Sequence, residues 1–364
     1  MNILILSCNT GQGHNSVANA IAESLEARGH SCQIADALGF VSRSTSKVMS
    51  WGHSFIYCHC PEVFSFGYGA AERHPGTLGE KSMAYRFFGL GASDLYNYCQ
   101  EQQFDCVICT HVFASLMLTH TMRTYDFSIP CYFVATDYTS YPGIKDSHMD
   151  VFFIPDDVLA PAYENKKTVT SGIPVYQRFC QDIDKAAAKK ALDIPSHAKH
   201  ILIMCGSMGC GPIEEIAQKI AAGMEKNCIV SIVCGTNHRL YQKLSAVYEN
   251  NDCVRVYGFL QNIPQMMASA DLYVTKPGGI STTEAMAAGL PMVLVDAVAG
   301  CEDYNMHYFQ VIGGALVAKE PEHIASLCLR LIEDETRLAE MSACLLKNRK
   351  NGAQIICDYL QDHC

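Results

Sequence analysis

The chain lacks a basic excess: among its 364 residues, 27 Lys and Arg stand against 37 Asp and Glu, a formal net charge of −10 at pH 7. A general nucleic-acid binder needs a basic face, so the balance argues against that class. No run of 18 apolar residues occurs, so no membrane-spanning helix is expected. The opening MNILILSCNT has neither the basic n-region nor the small-residue cleavage site of a secretory leader, and it reads as a short buried strand. Internal repeats and low-complexity tracts are missing too. Cysteine, by contrast, is plentiful at 19 residues. Many of these stand inside apolar runs, where they behave as small hydrophobes, so free thiols in a reducing cytoplasm are expected. His53, Cys58, His59, Cys60 and His74 gather without any zinc spacing, and no metal site is expected there.

What is present is alternation. Apolar runs at 3–7, 32–36, 106–110, 132–136, 151–155 and 168–172 alternate with helical patterns, and a second series follows at 200–205, 229–234, 254–258, 272–275 and 292–295. Short, continuously apolar strands separated by helices predict parallel sheets covered on both faces, an α/β class. The turn Ser171-Gly172-Ile173-Pro174, before a Lys/Ala-rich helix, marks the boundary between two doubly wound, Rossmann-like domains, 1–173 and 174–364. Ligands of such domains bind at the carboxyl ends of the strands, which predicts a cleft there. The last helix is expected to pack back on the first domain. Residues 40–90 break the pattern with Trp51, Phe55, Phe66, Tyr68 and Phe88, and with five basic against three acidic residues. Two readings stand: a membrane-facing insertion, or a helical insertion whose aromatics pack inward.

The most informative segment is Lys276-Pro277-Gly278-Gly279-Ile280-Ser281-Thr282-Thr283-Glu284, where a strand turns directly into a helix. Two glycines admit a ligand to the backbone, and helix-start amides favour an anion. Ser281, Thr282 and Glu284 suit phosphate oxygens and vicinal ribose hydroxyls; alternatively, Ser281-x-x-Glu284 is a capping box that merely closes the helix end. Thr10-Gly11-Gln12-Gly13-His14 follows the first strand in the same way. With Asp36 on the second strand it partly matches a dinucleotide fingerprint, although the third glycine is missing. The same turn also suits an imidazole that takes a proton from a bound hydroxyl. Ser207 and Gly209 lie in another glycine loop, Gly258-Phe259 ends a second-domain strand, and Gly300-Cys301-Glu302-Asp303-Tyr304-Asn305 offers polar groups at the height of a sugar. Asp182-Ile183-Asp184 has the form of a metal-binding pair but begins a helix, where acidic residues favour the dipole.

Taken together, TGQGHNSVANAI, ATDYTSYPG, VCGTN, VYGFL, VTKPGGISTTEAMAAGLP and GCEDYN resemble the monogalactosyldiacylglycerol synthase and processive diacylglycerol glucosyltransferase group of glycosyltransferase family 28, with the GT-B fold. The resemblance covers roughly residues 1–320. It implies His14 as the acceptor-activating base and Asp137 on the acceptor side, with Gly11 and Gly13 shaping the pocket. It implies Ser207 and Gly209 near the diphosphate, the backbone of Phe259 against uracil, and Gly278, Gly279, Ser281 and Thr282 on phosphate. Glu284 would take the ribose, and Glu302 and Asn305 the sugar. Two positions depart from the family: Cys301 stands where Gln is common, and Tyr141-Pro142 where a His-Pro pair is usual. The implied activity is inverting, metal-independent transfer of glucose or galactose from a UDP-sugar to diacylglycerol or a glycosyl-diacylglycerol, without a cofactor, at the inner face of the cell membrane and on an anionic surface. N-acetylglucosaminyl transfer to a polyprenyl-linked acceptor is the alternative within the class. A UDP-sugar epimerase, a catalytically silent UDP-sugar or lipid sensor, and a nicotinamide dehydrogenase are the others.

Overall fold

The computed structural model of the chain describes residues 1–295 and 300–363, apart from the side chains of residues 54, 57, 58, 59, 61, 64 and 75. Cys58 and His59 of the histidine–cysteine group therefore lie outside the described side chains. Residues 1–177, 298–304 and 350–364 make one compact unit, and residues 178–297 and 305–349 make the other.

In the first unit, β1 (Asn2–Ser7), β2 (Ser31–Asp36), β3 (Cys106–Cys109), β4 (Cys131–Val134), β5 (Val151–Ile154) and β6 (Thr168–Thr170) form one sheet in the order β2-β1-β3-β4-β5-β6. All its pairs are parallel. β1, β3, β4 and β5 are apolar along almost their whole length because helices cover both faces, leaving no water-facing side to demand polar residues. Cys106 and Cys109 share β3 as fully buried free thiols. The last helix, Gly352–His363, packs on helix Gln12–Glu26. Arg28 pairs with Asp358 at 2.6 Å, and Gly352 lets the chain pass so close to Gly172 that a Cβ would lie 2.8 Å from its carbonyl oxygen.

In the second unit, β7 (Lys199–Ile203), β8 (Cys228–Val233), β9 (Val254–Tyr257), β10 (Leu272–Thr275), β11 (Met292–Leu294) and β12 (Ala315–Val317) run β12-β11-β10-β7-β8-β9, again all parallel. Counted from β7, this is the 3-2-1-4-5-6 order of dinucleotide-binding sheets. β12 was not read from the sequence. It is a three-residue edge strand, too short to show a pattern of its own.

The 40–90 segment is helical, with helices Arg43–His59, Pro61–Arg73 and Met83–Gly89. Its aromatics divide between the two readings. Tyr85 and Phe88 join the core, whereas Trp51 (69% exposed), Phe66 (72%) and Val48 (68%) face outward. Among the described residues sixteen cysteines are free thiols; Cys210 is disulfide-bonded, so the expectation of free thiols throughout does not hold at that position.

Candidate active site

Each sheet reverses its winding at one point, and the chain leaves an open crevice there at the carboxyl ends of two adjacent strands. In the first unit those strands are β1 and β3. After β1 the chain turns through Thr10, Gly11 and Gly13 into helix Gln12–Glu26, whose N-cap Gly11 supplies no capping side chain. A Cβ at Gly11 would meet nothing within 4 Å, so the backbone faces open space. The loop is held from below: Ser7 Oγ donates to Asn15 Oδ1 (2.6 Å), Asn15 Nδ2 to Asn9 Oδ1 (2.9 Å) and Asn9 Nδ2 to Asp36 Oδ2 (3.1 Å). Asp36 also accepts from the Leu38 amide and from Ser46 Oγ. Its oxygens serve the protein, which removes the ribose carboxylate that a nicotinamide site needs here.

His14 is half-buried on the first turn of this helix. Its Nδ1 lies 2.9 Å from the Thr110 carbonyl oxygen and 3.0 Å from Thr136 Oγ1. A carbonyl only accepts, so Nδ1 carries the proton and Nε2 keeps its lone pair. Burial lowers the His14 pKa, and the Asp137 carboxylate partly restores it. The neutral, proton-accepting form is therefore the resting one at neutral pH. The His111 ring packs edge-on at 4.3 Å between centroids. Its Nδ1 accepts from the Phe113 amide (3.0 Å), so Nε2 donates to Thr10 Oγ1 (3.1 Å). Asp137, nearly buried, accepts from the Tyr141 hydroxyl at 2.5 Å, and that hydroxyl lies 2.6 Å from Thr136 Oγ1. The structure thus brings Gly13, His14 and Asp137 together. It adds Thr110, His111 and Thr136, which follow β3 and β4, and it places Tyr141, noted in the sequence only as a departure from the family, beside Asp137.

In the second unit the reversal lies between β7 and β10. Helix Gly279–Ala287 follows β10 with Gly278 as N-cap and no side-chain cap, and its first intrahelical bond runs from the Thr282 amide to Gly278 O. The helix therefore starts before Ser281, and the capping-box reading fails: Ser281 is the third helical residue, not the cap. The amides of Gly279, Ile280 and Ser281 head the helix, and a Cβ at Gly278 would meet nothing within 4 Å. Thr282 is fully buried, with Oγ1 donating to Gly278 O at 2.8 Å, so its hydroxyl is turned into the helix. Glu284 sits one turn in, and burial raises its carboxyl pKa to about 8 despite the Arg178 guanidinium.

The glycine loop after β7 is positioned by the loop after β8. Thr236 N donates to Ser207 O (2.8 Å) and Asn237 Nδ2 to Gly209 O (3.1 Å). A Cβ on Gly209, at φ +57°, would overlap the Cys234 carbonyl, so that glycine serves loop packing. Lys276 is largely buried and reaches from β10 to the β7 loop, its Cε 3.0 Å from where a Gly211 Cβ would be. It brings a positive charge to the point of reversal. Asn305 is fully buried and donates to the Pro277 carbonyl at 2.9 Å, so its amide nitrogen fixes the Pro-Gly-Gly turn. Phe259 follows β9 with its ring 61% exposed. Glu302 is nearly buried in the 298–304 segment grouped with the first unit, where Gly300 (φ +74°) lets the chain lie against the Tyr68 ring. Asp184 caps helix Lys185–Ala191 by accepting from the Ala187 amide (2.7 Å), and Asp182 lies 3.8 Å from Arg349, so this pair is occupied locally. A cavity of about 400 Å³ near Phe179, Met267, Pro291 and Leu338 lies at the amino ends of β10 and β11, the opposite ends from the glycine turns, with Asp182 and Arg349 in its lining.

Two open strand-to-helix turns on two parallel sheets define a class first, α/β proteins of the GT-B glycosyltransferase fold. Structures covering 98–99% of both chains share it: MurG of Acinetobacter baumannii (TM-score 0.65, 15% identity) and the glycotransferase of kitacinnamycin (0.66, 16%). Anabaena Alr3699/HepE in complex with UDP aligns over the full length of both chains (0.60, 14%). More narrowly, residues 14–176 match the monogalactosyldiacylglycerol (MGDG) synthase family model and residues 213–350 that of glycosyl transferases group 1. The processive diacylglycerol beta-glucosyltransferases of Bacillus mycoides and Bacillus cereus are each 26% identical over 93% of this chain and 87% of theirs. The chain's resemblance to the monogalactosyldiacylglycerol synthase and processive diacylglycerol glucosyltransferase group extends along nearly its whole length.

Proposed function

We propose that the protein is an inverting hexosyltransferase that moves glucose or galactose from a UDP-sugar to diacylglycerol or a glycosyl-diacylglycerol. The observation that carries this reading is the His14 tautomer: Nδ1 is committed to the Thr110 carbonyl, leaving Nε2 as a base beside an open glycine turn. Nε2 takes the acceptor hydroxyl proton while the acceptor oxygen bonds to the anomeric carbon. The bond from that carbon to the β-phosphate oxygen breaks on the opposite face, and UDP leaves with the electron pair. The amides heading helix Gly279–Ala287, with Lys276, stabilise the departing diphosphate without a divalent ion. Glu284 holds the ribose hydroxyls, and Ser207 and Glu302 complete the donor contacts. The names of the curated relatives support diacylglycerol as acceptor.

The exposed face of Trp51, Phe55, Val63 and Phe66, with Lys47 and Arg43 on the same helical segment, suits a peripheral seat on an anionic membrane. None of the described helices is long and apolar enough to cross one.

The test is UDP release from UDP-glucose, UDP-galactose and UDP-N-acetylglucosamine, each with and without diacylglycerol in anionic micelles. Lipid-dependent release from one hexose donor is expected. Release only with UDP-N-acetylglucosamine and a polyprenyl acceptor, or UDP binding without any turnover, overturns the proposal.

A further inference from the structure

Four side chains of the first unit form a one-way hydrogen-bond chain. Asp137 only accepts as a carboxylate, so the Tyr141 hydroxyl at 2.5 Å donates to it. With its proton spent, the Tyr141 oxygen can only accept from Thr136 Oγ1 at 2.6 Å. Thr136 Oγ1 then has only lone pairs for His14 Nδ1, 3.0 Å away, whose proton it shares with the Thr110 carbonyl. Every donor points from the imidazole toward the carboxylate. Tyr141 is the link between the carboxylate and the threonine hydroxyl.

We propose that Tyr141 is a positioning residue that couples Asp137 to His14 through Thr136. With the Thr110 carbonyl it holds His14 in the tautomer that leaves Nε2 basic, and it steadies the imidazolium formed when Nε2 takes the acceptor proton. The role in transfer rests on the function proposed above; the coupling itself does not.

Other groups surround the pair. His53 and His111 face His14; burial first and then the charge on His14 disfavour the protonation of both, which leaves them neutral beside it. Tyr68, Tyr163 and Cys301 feel the Asp137 charge, and each is held protonated by burial with that carboxylate adding to the effect. Asp137 is thus the charge that favours the His14 imidazolium, and the chain through Tyr141 adds a hydrogen-bonded link from it to one nitrogen of that ring.

The test is the titration of His14 by NMR in the ligand-free protein, with all histidines labelled and His14 assigned by His14→Gln, for the wild type and Tyr141→Phe. The phenylalanine ring keeps the packing and removes only the hydroxyl. We expect the His14 imidazolium fraction on the steep part of the curve to fall about three- to tenfold, with the resonances of His200, in the other unit, unmoved. In the transfer assay kcat should fall about tenfold, its acid limb should move to lower pH with His14, and KM for the UDP-sugar should stay within about twofold. Thr136→Val breaks the same chain from its other side and should give the same shift; it serves if Tyr141→Phe fails to fold. An unmoved His14 titration in a folded variant overturns the coupling. A shifted titration in a protein that transfers no hexose keeps the coupling and removes the transfer reading instead.

Discussion

Glu284→Gln separates a ligand-binding glutamate from a structural one because it changes stability and nucleotide affinity in opposite directions. Burial lifts the Glu284 pKa from an ordinary 4.5 to about 8. A group whose folded pKa is raised contributes stability that is fully present below the unfolded pKa, near 4.5, and is lost as pH climbs through about 8. That gap corresponds to a ceiling of roughly 5 kcal/mol. Partial exposure of the residue and the nearby Arg178 reduce the realised effect to about 1–3 kcal/mol. Glutamine, which never ionises, escapes this loss. The variant should therefore match the wild type near pH 5 and exceed it by about 1–3 kcal/mol near pH 9 in chemical denaturation. If the carboxylate holds two ribose hydroxyls, losing charge-assisted hydrogen bonds of roughly 1.5–3 kcal/mol weakens UDP binding about ten- to a hundredfold, read by calorimetry. The UDP affinity of the wild type should also rise as pH passes through about 8 and the carboxylate forms. Unchanged UDP affinity in the variant, together with an equal loss of stability at both pH values, would refute the reasoning.

His14→Ala should abolish transfer, by about a thousandfold or more, while UDP affinity measured by calorimetry stays within a factor of about two; unchanged turnover would remove His14 from the chemistry. Replacing Trp51 and Phe66 together by Ser should cut binding to anionic vesicles in a sedimentation assay by about tenfold or more, with UDP affinity untouched, since each exposed ring removes roughly 1.5–3 kcal/mol of burial. Activity should survive a strong chelator, because the diphosphate stabilisation proposed here comes from amides and Lys276; loss of activity restored by a divalent ion would contradict it.

Much of this protein was legible without a fold. The eleven strands expected from apolar runs are present, because a parallel sheet covered on both faces leaves its central strands apolar along their length and therefore visible in a linear sequence. The glycine turns were visible as well, since close backbone approach leaves few residue choices. Other features needed the fold, because there local pattern competes with tertiary context. Ser281-x-x-Glu284 has the form of a capping box, yet the helix opens two residues before Ser281. Thr282 and Asn305 read as ligand groups, yet both hydrogen-bond inward, one to Gly278 O and the other to Pro277 O. Gly209 reads as a phosphate glycine and proves to be the place where two loops cross. The aromatic insertion read two ways because composition carries no direction; only packing shows Phe88 turned inward and Trp51 outward.

The sequence alone determined the class of each sheet, the two open turns, and which residue types stand at them, since all of these are properties of short stretches of chain. The tertiary structure alone decided protonation and partnership. His14 has its tautomer because Thr110, at the end of another strand, presents a carbonyl to Nδ1, and Asp36 is no ribose carboxylate because Asn9, Leu38 and Ser46 already occupy it. The hydrogen-bond chain from His14 to Asp137 runs through Thr136 and Tyr141. A hydrogen bond depends on distance and direction in space, and strand order sets both.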